Sequence, residues 1–279
     1  MPPRPIITLT TDFGAADGTV AAMIGVIKSI CPEAEVVSVT SGVPPHNIPR
    51  GAWALFQAVP FFPKGTIHIA VVDPGVGGGR RALLAVTGRG LLIGPDNGVL
   101  TWAVRDASEI TWRSIENPFY RIAASGVTFD GRDLFAPLAA HLAAGVDPES
   151  VGPVISDPVI LRWPQPQISV DAIEGEIVIV DQFGNLITNI PGNMVAELYG
   201  EHGFHVILPS SRATTPGKHR TVTDPAPFAP SYDEIRGRLG AVINGAGLIE
   251  IATRQGSAAA LAGRDRGDRI VVRRQGAGR

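Results

Sequence analysis

The apolar run Ile67-His68-Ile69-Ala70-Val71-Val72 breaks directly into Asp73-Pro74-Gly75-Val76-Gly77-Gly78-Gly79-Arg80. A run this short and this apolar, closed by a turn, reads as a strand buried on both faces. The four glycines carry no Cβ, so the turn backbone can come close to whatever binds there. Open α/β sheets bind ligands at such strand ends. The turn therefore predicts a layered α/β fold and the place of its chemistry, with Asp73 at the strand's carboxyl end and the Arg80 guanidinium just beyond.

The flanking pattern agrees. Strand 6–11 is followed by Val20, Met23, Ile24, Ile27 and Ile30 at helical spacing, ended by Pro32. A short strand at 36–39, a helix over about 48–59, strands at 66–72, 82–87 and 91–93, and a helix near 100–105 follow. Strands alternating with helices imply βαβ units and a mainly parallel sheet. Around residue 164 the pattern changes, and Trp163-Pro164-Gln165-Pro166-Gln167 reads as a stiff linker. Beyond it, strands at 168–173, 175–181, 204–208 and 268–273, with little helical pattern between them, predict a smaller β-barrel. The expected domains are an α/β domain over 1–163 and a β-barrel over 168–279. Residues 209–231, rich in Pro, Thr and Ser, are too long for a simple turn.

Composition narrows the function. A net charge of -2 gives no basic footprint, which argues against nucleic acid as a partner. The single cysteine, Cys31, excludes an internal disulfide framework and fits a reducing compartment. No stretch reaches the roughly 18 apolar residues of a membrane span, and the N-terminus lacks a secretory signal. A soluble, cytoplasmic protein without a membrane partner is expected. The histidines at 46, 68, 141, 202, 205 and 219 are scattered, and no metal site is predicted.

Several strings supply candidate site residues. Thr10-Thr11-Asp12-Phe13-Gly14 puts Asp12 at the end of the first strand, suited to ligand hydroxyls. Asp17 and Thr19 follow, and read equally as ligand contacts or as caps of the next helix. Gly94-Pro95-Asp96-Asn97-Gly98 is explained by turn chemistry, with Asn97 bordering the site. In Thr128-Phe129-Asp130-Gly131-Arg132-Asp133, Phe129 and Asp130 are placed to face a ligand, while Asp133 reads as a cap paired with Arg132. Asp181-Gln182-Phe183-Gly184-Asn185 sets an acid, an aromatic face and an amide at a strand end, which suits an adenine or amino-acid ligand. Tyr232, Asn244 and Arg254 add aromatic and polar reach in the second half.

Together and in order, these strings resemble the S-adenosyl-L-methionine (SAM) hydroxide adenosyltransferase family, relatives of the bacterial fluorinase and chlorinase. The carrying segments are Ile7–Gly14, Val72–Gly77, Pro95–Gly98, Thr128-Phe129 with Gly131-Arg132-Asp133, and Asp181 with Phe183-Gly184-Asn185. The resemblance implies an N-terminal α/β domain, a C-terminal β-barrel, and a homotrimer binding SAM between neighbouring subunits. It implies a catalytic Asp-Arg-His set around a water: Asp73 and Arg80 match the first two, and Asp130 stands at the histidine's position. The halogenases carry tyrosine where this chain has Asp73, and their long insertion is absent at Gly88-Arg89-Gly90, which places the chain on the hydrolase side.

The implied reaction is SAM plus water giving adenosine and methionine, with SAM as substrate and no cofactor. Asp73 and Arg80 would position water, Asp130 would assist, and Asp12 would hold the ribose. Phe183, Asn185 and Tyr232 would line the adenine and methionine pocket. Asp73 and Asp130 would repel each other unless Arg80 lies between them or one stays protonated. A SAM- or adenosine-holding protein without turnover is the alternative. Halide use is disfavoured by the Asp73 carboxylate.

Overall fold

A computed structural model describes residues 4–123, 126–200, 203–209 and 226–274. The chain separates into two compact units, 1–161 and 162–279. In the first, β1 (Ile6–Thr11), α1 (Thr19–Ile30), β2 (Glu35–Thr40), α2 (Ile48–Ala58), β3 (Thr66–Val71), β4 (Ala82–Thr87) and β5 (Gly90–Pro95) follow in turn. Then come α3 (Thr101–Val104), β6 (Ile110–Ser114), α4 (Ala136–Ala143) and β7 (Val154–Ile155). The strands form one sheet in the order β2-β1-β3-β5-β4-β6-β7. From β2 to β5 the pairings are parallel, and β4, β6 and β7 join antiparallel. The switch follows from chain length, because Gly88-Arg89 between β4 and β5 can make a hairpin but not a crossover.

β3 is buried along its length. Ile67, Ile69 and Val71 pack with Met23 and Ile27 of α1 and Leu138 and Ala139 of α4. Ala70 and Val72, pointing the other way, pack with Leu55 of α2 and with Val99 and Leu100. Alternation along the strand thus feeds two apolar layers. β1 lies beside β3 with Thr11 opposite Val71, so Asp12 and Asp73 leave the sheet at the same end. The register of two parallel strands brings these acids together.

The second unit holds β8 (Gln167–Ile168), β9 (Ala172–Val180), β10 (Leu186–Pro191), α5 (Gly192–Tyr199), β11 (Phe204–Ile207) and β12 (Ala226–Pro227). It ends with β13 (Gly240–Ile243), β14 (Leu248–Ala252), α6 (Ala258–Ala262) and β15 (Arg269–Arg274). The path β12-β11-β15-β9-β10-β14-β13 is antiparallel throughout, with β8 on β9. A bridge from Phe228 to Ala241 brings its two ends together, giving the barrel.

Three expectations are corrected here. The stiff linker is part of the second unit: Asn189 Nδ2 donates to the Pro164 carbonyl at 3.0 Å, and Gln167 already pairs in β8. The strands expected at 168–173 and 175–181 are a short β8 and one long β9, which continues through Gly175. A Cβ there would meet Asn189 Oδ1 at 2.3 Å, so that glycine marks a close approach and not a break. The little helical pattern expected there conceals two short helices, α5 and α6. Most of the Pro-rich stretch, residues 210–225, lies outside the described residues. No helix among the described residues is long and apolar enough to cross a membrane.

Candidate active site

The turn after β3 folds Arg80 back onto Asp73. Arg80 Nε donates to both Asp73 oxygens, at 3.1 and 2.9 Å, and its Nη2 donates to Oδ2 as well. Two glycines make this possible. A Cβ at Gly75 would crowd Arg80 Cγ at 3.3 Å. Gly77 has φ of 75°, and a Cβ there would come within 3.1 Å of the Val127 carbonyl. Asn97 fixes the strand end itself, its Nδ2 donating to the Val72 carbonyl at 2.8 Å.

Asp130 begins a π-helical turn, Gly131–Phe135, that runs into α4. Such turns recur at functional sites, where the wider winding re-aims side chains. Arg80 Nη2 donates to Asp130 Oδ2 at 2.5 Å, and Arg121 Nη1 donates to Oδ1 at 2.7 Å. Arg80 therefore lies between the two carboxylates, the arrangement that removes their repulsion. The side chains of Asp73, Asp130 and Arg80 are only 5, 6 and 15% exposed. Burial works against the Arg80 charge, but its bonds to Asp73 and Asp130 outweigh this and hold its pKa above the ordinary value.

Asp73 and Asp130 face a cleft of about 270 Å³ lined by Asp12, Phe13, Pro45, His46, Val71, Asp73, Val76, Thr128, Phe129, Asp130 and Gly131, while Arg80 and Arg121 line the cavity on the other side of Asp130. Phe129 stands edge-on to Phe13 at 5.6 Å and carries the Arg132 guanidinium over its ring at 4.9 Å. Asp12 Oδ2 accepts the His46 backbone N–H at 2.8 Å.

Other candidates fall elsewhere. Asp17 and Thr19 do not line this cleft, and neither caps α1. Gly18 is the N-cap, left-handed at φ 61°, which leaves Asp17 one residue too early to reach the open amides. The Thr19 hydroxyl is buried without a partner among the described residues. Asp133 pairs with Arg132 at 2.6 Å as expected but caps nothing, because it sits three residues inside the turn that Asp130 opens. Asp96 holds Arg81 Nε at 2.7 Å and the Val159 amide at 2.7 Å, so its string braces the paired ends of β4 and β5 beside Arg80.

In the second unit, Asp181 Oδ1 accepts the amides of Phe183 and Asn185, each at 2.8 Å, and Oδ2 accepts Asn185 Nδ2 at 3.1 Å. This turn leaves Phe183 69% exposed. Arg254 is exposed in the turn after β14. Tyr232 and Asn244 are joined by a residue the sequence reading missed: Glu250 accepts the Tyr232 hydroxyl at 2.8 Å and Asn244 Nδ2 at 3.2 Å. The available signal was one acid in the apolar strand Leu248-Ile249-Glu250-Ile251-Ala252. His46 and Arg121 were missed as well.

Burial holds the Glu250 carboxyl above the usual carboxylate range, outweighing the bonds from Tyr232 and Asn244, with the Asp181 charge adding to the rise. Burial also raises the Tyr232 phenol, followed by its bond to Glu250. An acid with a raised folded pKa binds protons more tightly when folded, so stability falls as pH rises through the window above glutamate's ordinary value. Glu250→Gln lacks that titration. Thermal melts from about pH 4 to 8 should show the variant gaining on the native protein as pH rises. A pH-independent difference would contradict the raised carboxyl.

Comparison with known proteins matches both units. Residues 7–152 fit the SAM hydroxide adenosyltransferase N-terminal domain and residues 175–271 its C-terminal domain. The chain is 38% identical over 281 residues to a Salinispora arenicola protein named (R)-S-adenosyl-L-methionine hydrolase, spanning 98% of this chain and 99% of that one. It is 32% identical over 214 residues to a protein named fluorinase from an Actinoplanes species, spanning 67% of this chain and 72% of that one. Its fold resembles the crystal structure of an uncharacterized conserved protein from Thermotoga maritima, with a TM-score of 0.83 and 32% identity over 96% of this chain and 100% of that one.

Proposed function

The chain belongs to the SAM hydroxide adenosyltransferase family, and on that premise we propose that it hydrolyses S-adenosyl-L-methionine to adenosine and L-methionine. The observation that carries this reading is the Asp73–Arg80–Asp130 array, whose two carboxylates line the cleft that also holds Asp12 and Phe129. In the reaction the water oxygen bonds to C5′ while the C5′–S bond breaks. The electron pair stays on sulfur, which leaves as neutral methionine, and the water proton passes to a base. A sulfonium is already an activated leaving group, so neither metal nor redox cofactor takes part. The protein's task is to hold water in line with the C5′–S bond and accept its proton.

Asp73, fixed from behind by Arg80, orients the water, and Asp12 holds the ribose hydroxyls. Asp130 anchors Arg80 from the other side. A halide would approach the Asp73 carboxylate at a cost of several kcal/mol at close range, so water is the nucleophile. The reading extends to a closed homotrimer in the cytoplasm. Its sites would pair the first unit of one subunit with the second unit of its neighbour, giving the exposed Phe183 and Tyr232 an adenine to stack on.

The name of the Salinispora relative specifies the (R) sulfonium, and the proposed substrate is that epimer. Inverting the pyramidal sulfur exchanges the methyl with a larger group and turns the C5′–S bond off the water's line. Incubation with each epimer, followed by chromatography, should show adenosine from (R) at least about tenfold faster than from (S). Light scattering on the same sample should give three subunit masses. Tight calorimetric binding with no adenosine above the enzyme-free control would leave a binding protein instead.

A further inference from the structure

We propose that His46 is the general base that takes the proton from the attacking water, an assignment that rests on the hydrolase reading above. Asp73 and Asp130 are poorly placed for that step. Both Asp73 oxygens accept from Arg80, and the two Asp130 oxygens accept separately from Arg80 and Arg121. A proton on either carboxylate would cancel the negative charge that these charge-assisted bonds depend on. His46 lines the same cleft, and no other histidine among the described residues does. Imidazole is the side chain best suited to taking and releasing a proton near neutrality.

The backbone at His46 supplies a second, independent reason. It is left-handed, with φ of 64°, and is the only non-glycine residue among those described with positive φ. Such strain in a residue other than glycine clusters at functional sites, where surroundings hold it in place. Here Pro44 and Pro45 precede it, and Asn47 caps α2 by accepting the Arg50 amide at 3.1 Å. The His46 N–H donates to Asp12, tying the residue to the acid assigned to the ribose. A glycine or asparagine would fit that backbone with less strain, yet the position carries an imidazole.

The step balances: the O–C5′ bond forms, the C5′–S bond breaks, methionine keeps the electron pair, and His46 takes the proton and returns it to solvent. The charged groups facing it are Asp12, Asp73 and Asp130, with Arg80 behind the last two and Arg121 behind Asp130. The test compares the native protein with His46→Gly and His46→Asn, which both suit the left-handed backbone. Melting temperatures equal to or above native are expected, with kcat for adenosine formation lowered roughly 100-fold. Free imidazole should restore part of the His46→Gly rate. The acid-side limb of the native kcat–pH profile should vanish in His46→Asn. Variants keeping the native rate and limb would overturn the assignment while leaving the hydrolase reading intact. A native protein that forms no adenosine would instead sink the reading on which the assignment rests.

Discussion

Arg80→Ala is expected to lower adenosine formation by roughly 100-fold or more and the melting temperature by roughly 6–15 °C. The substitution leaves two nearly buried carboxylates, with side chains 5 and 6% exposed, without the guanidinium between them. Removing one member of such a network costs about 3–5 kcal/mol, because the desolvated charges that remain are uncompensated. Arg121 still reaches Asp130, so the heavier burden falls on Asp73. A second substitution separates the two losses. Arg80→Ala with Asp73→Asn removes the stranded charge and should recover much of the melting temperature without recovering activity. Differential scanning calorimetry and a chromatographic adenosine assay on both variants decide it. A single variant that melts like the native protein and keeps activity within threefold would show that the array is incidental.

What the sequence revealed and what it hid divide along chain separation. Asp73 and Arg80 were legible because strand, glycine turn and guanidinium are contiguous, and a buried strand end announces itself by composition. Asp12 was legible because β1 carries the same signal, although only the β1–β3 register places it beside Asp73. The clamp on Asp130 was not legible as geometry. It needs Arg80, fifty positions away, and Arg121, whose sequence surroundings carry no motif.

His46 was hidden for a different reason. Nothing in Pro44-Pro45-His46-Asn47 states that its backbone is left-handed, so it read as one of several scattered histidines. In the second unit, β10 runs through Pro191 straight into α5, and Gly192 and Gly200 bracket that helix, so turn residues masked an ordered segment. Glu250 was lost among apolar neighbours because its meaning lies in two partners brought to it by folding.

Asp130→His, which installs the residue the family resemblance would place there, is expected to lower activity at least about tenfold and melting temperature by roughly 5–10 °C. If the acid were a damaged remnant, restoring the imidazole would raise turnover. The contacts argue the opposite. Asp130 is a two-handed acceptor, with one oxygen on Arg80 at 2.5 Å and the other on Arg121 at 2.7 Å, in a side chain 6% exposed. A neutral imidazole offers one acceptor nitrogen, so one guanidinium loses its partner; a protonated one offers none and adds a third positive charge. Arg80 would then be held by Asp73 alone and could swing from the position in which it fixes the Asp73 carboxylate toward the cleft. Arg121→Met alongside Asp130→His removes the like charge and should return part of the lost melting temperature. Its rate should remain below native, because the second anchor of Arg80 is still missing. A rise in adenosine formation with Asp130→His alone would show that the carboxylate disables the site, and the network would have to be read as a stability device.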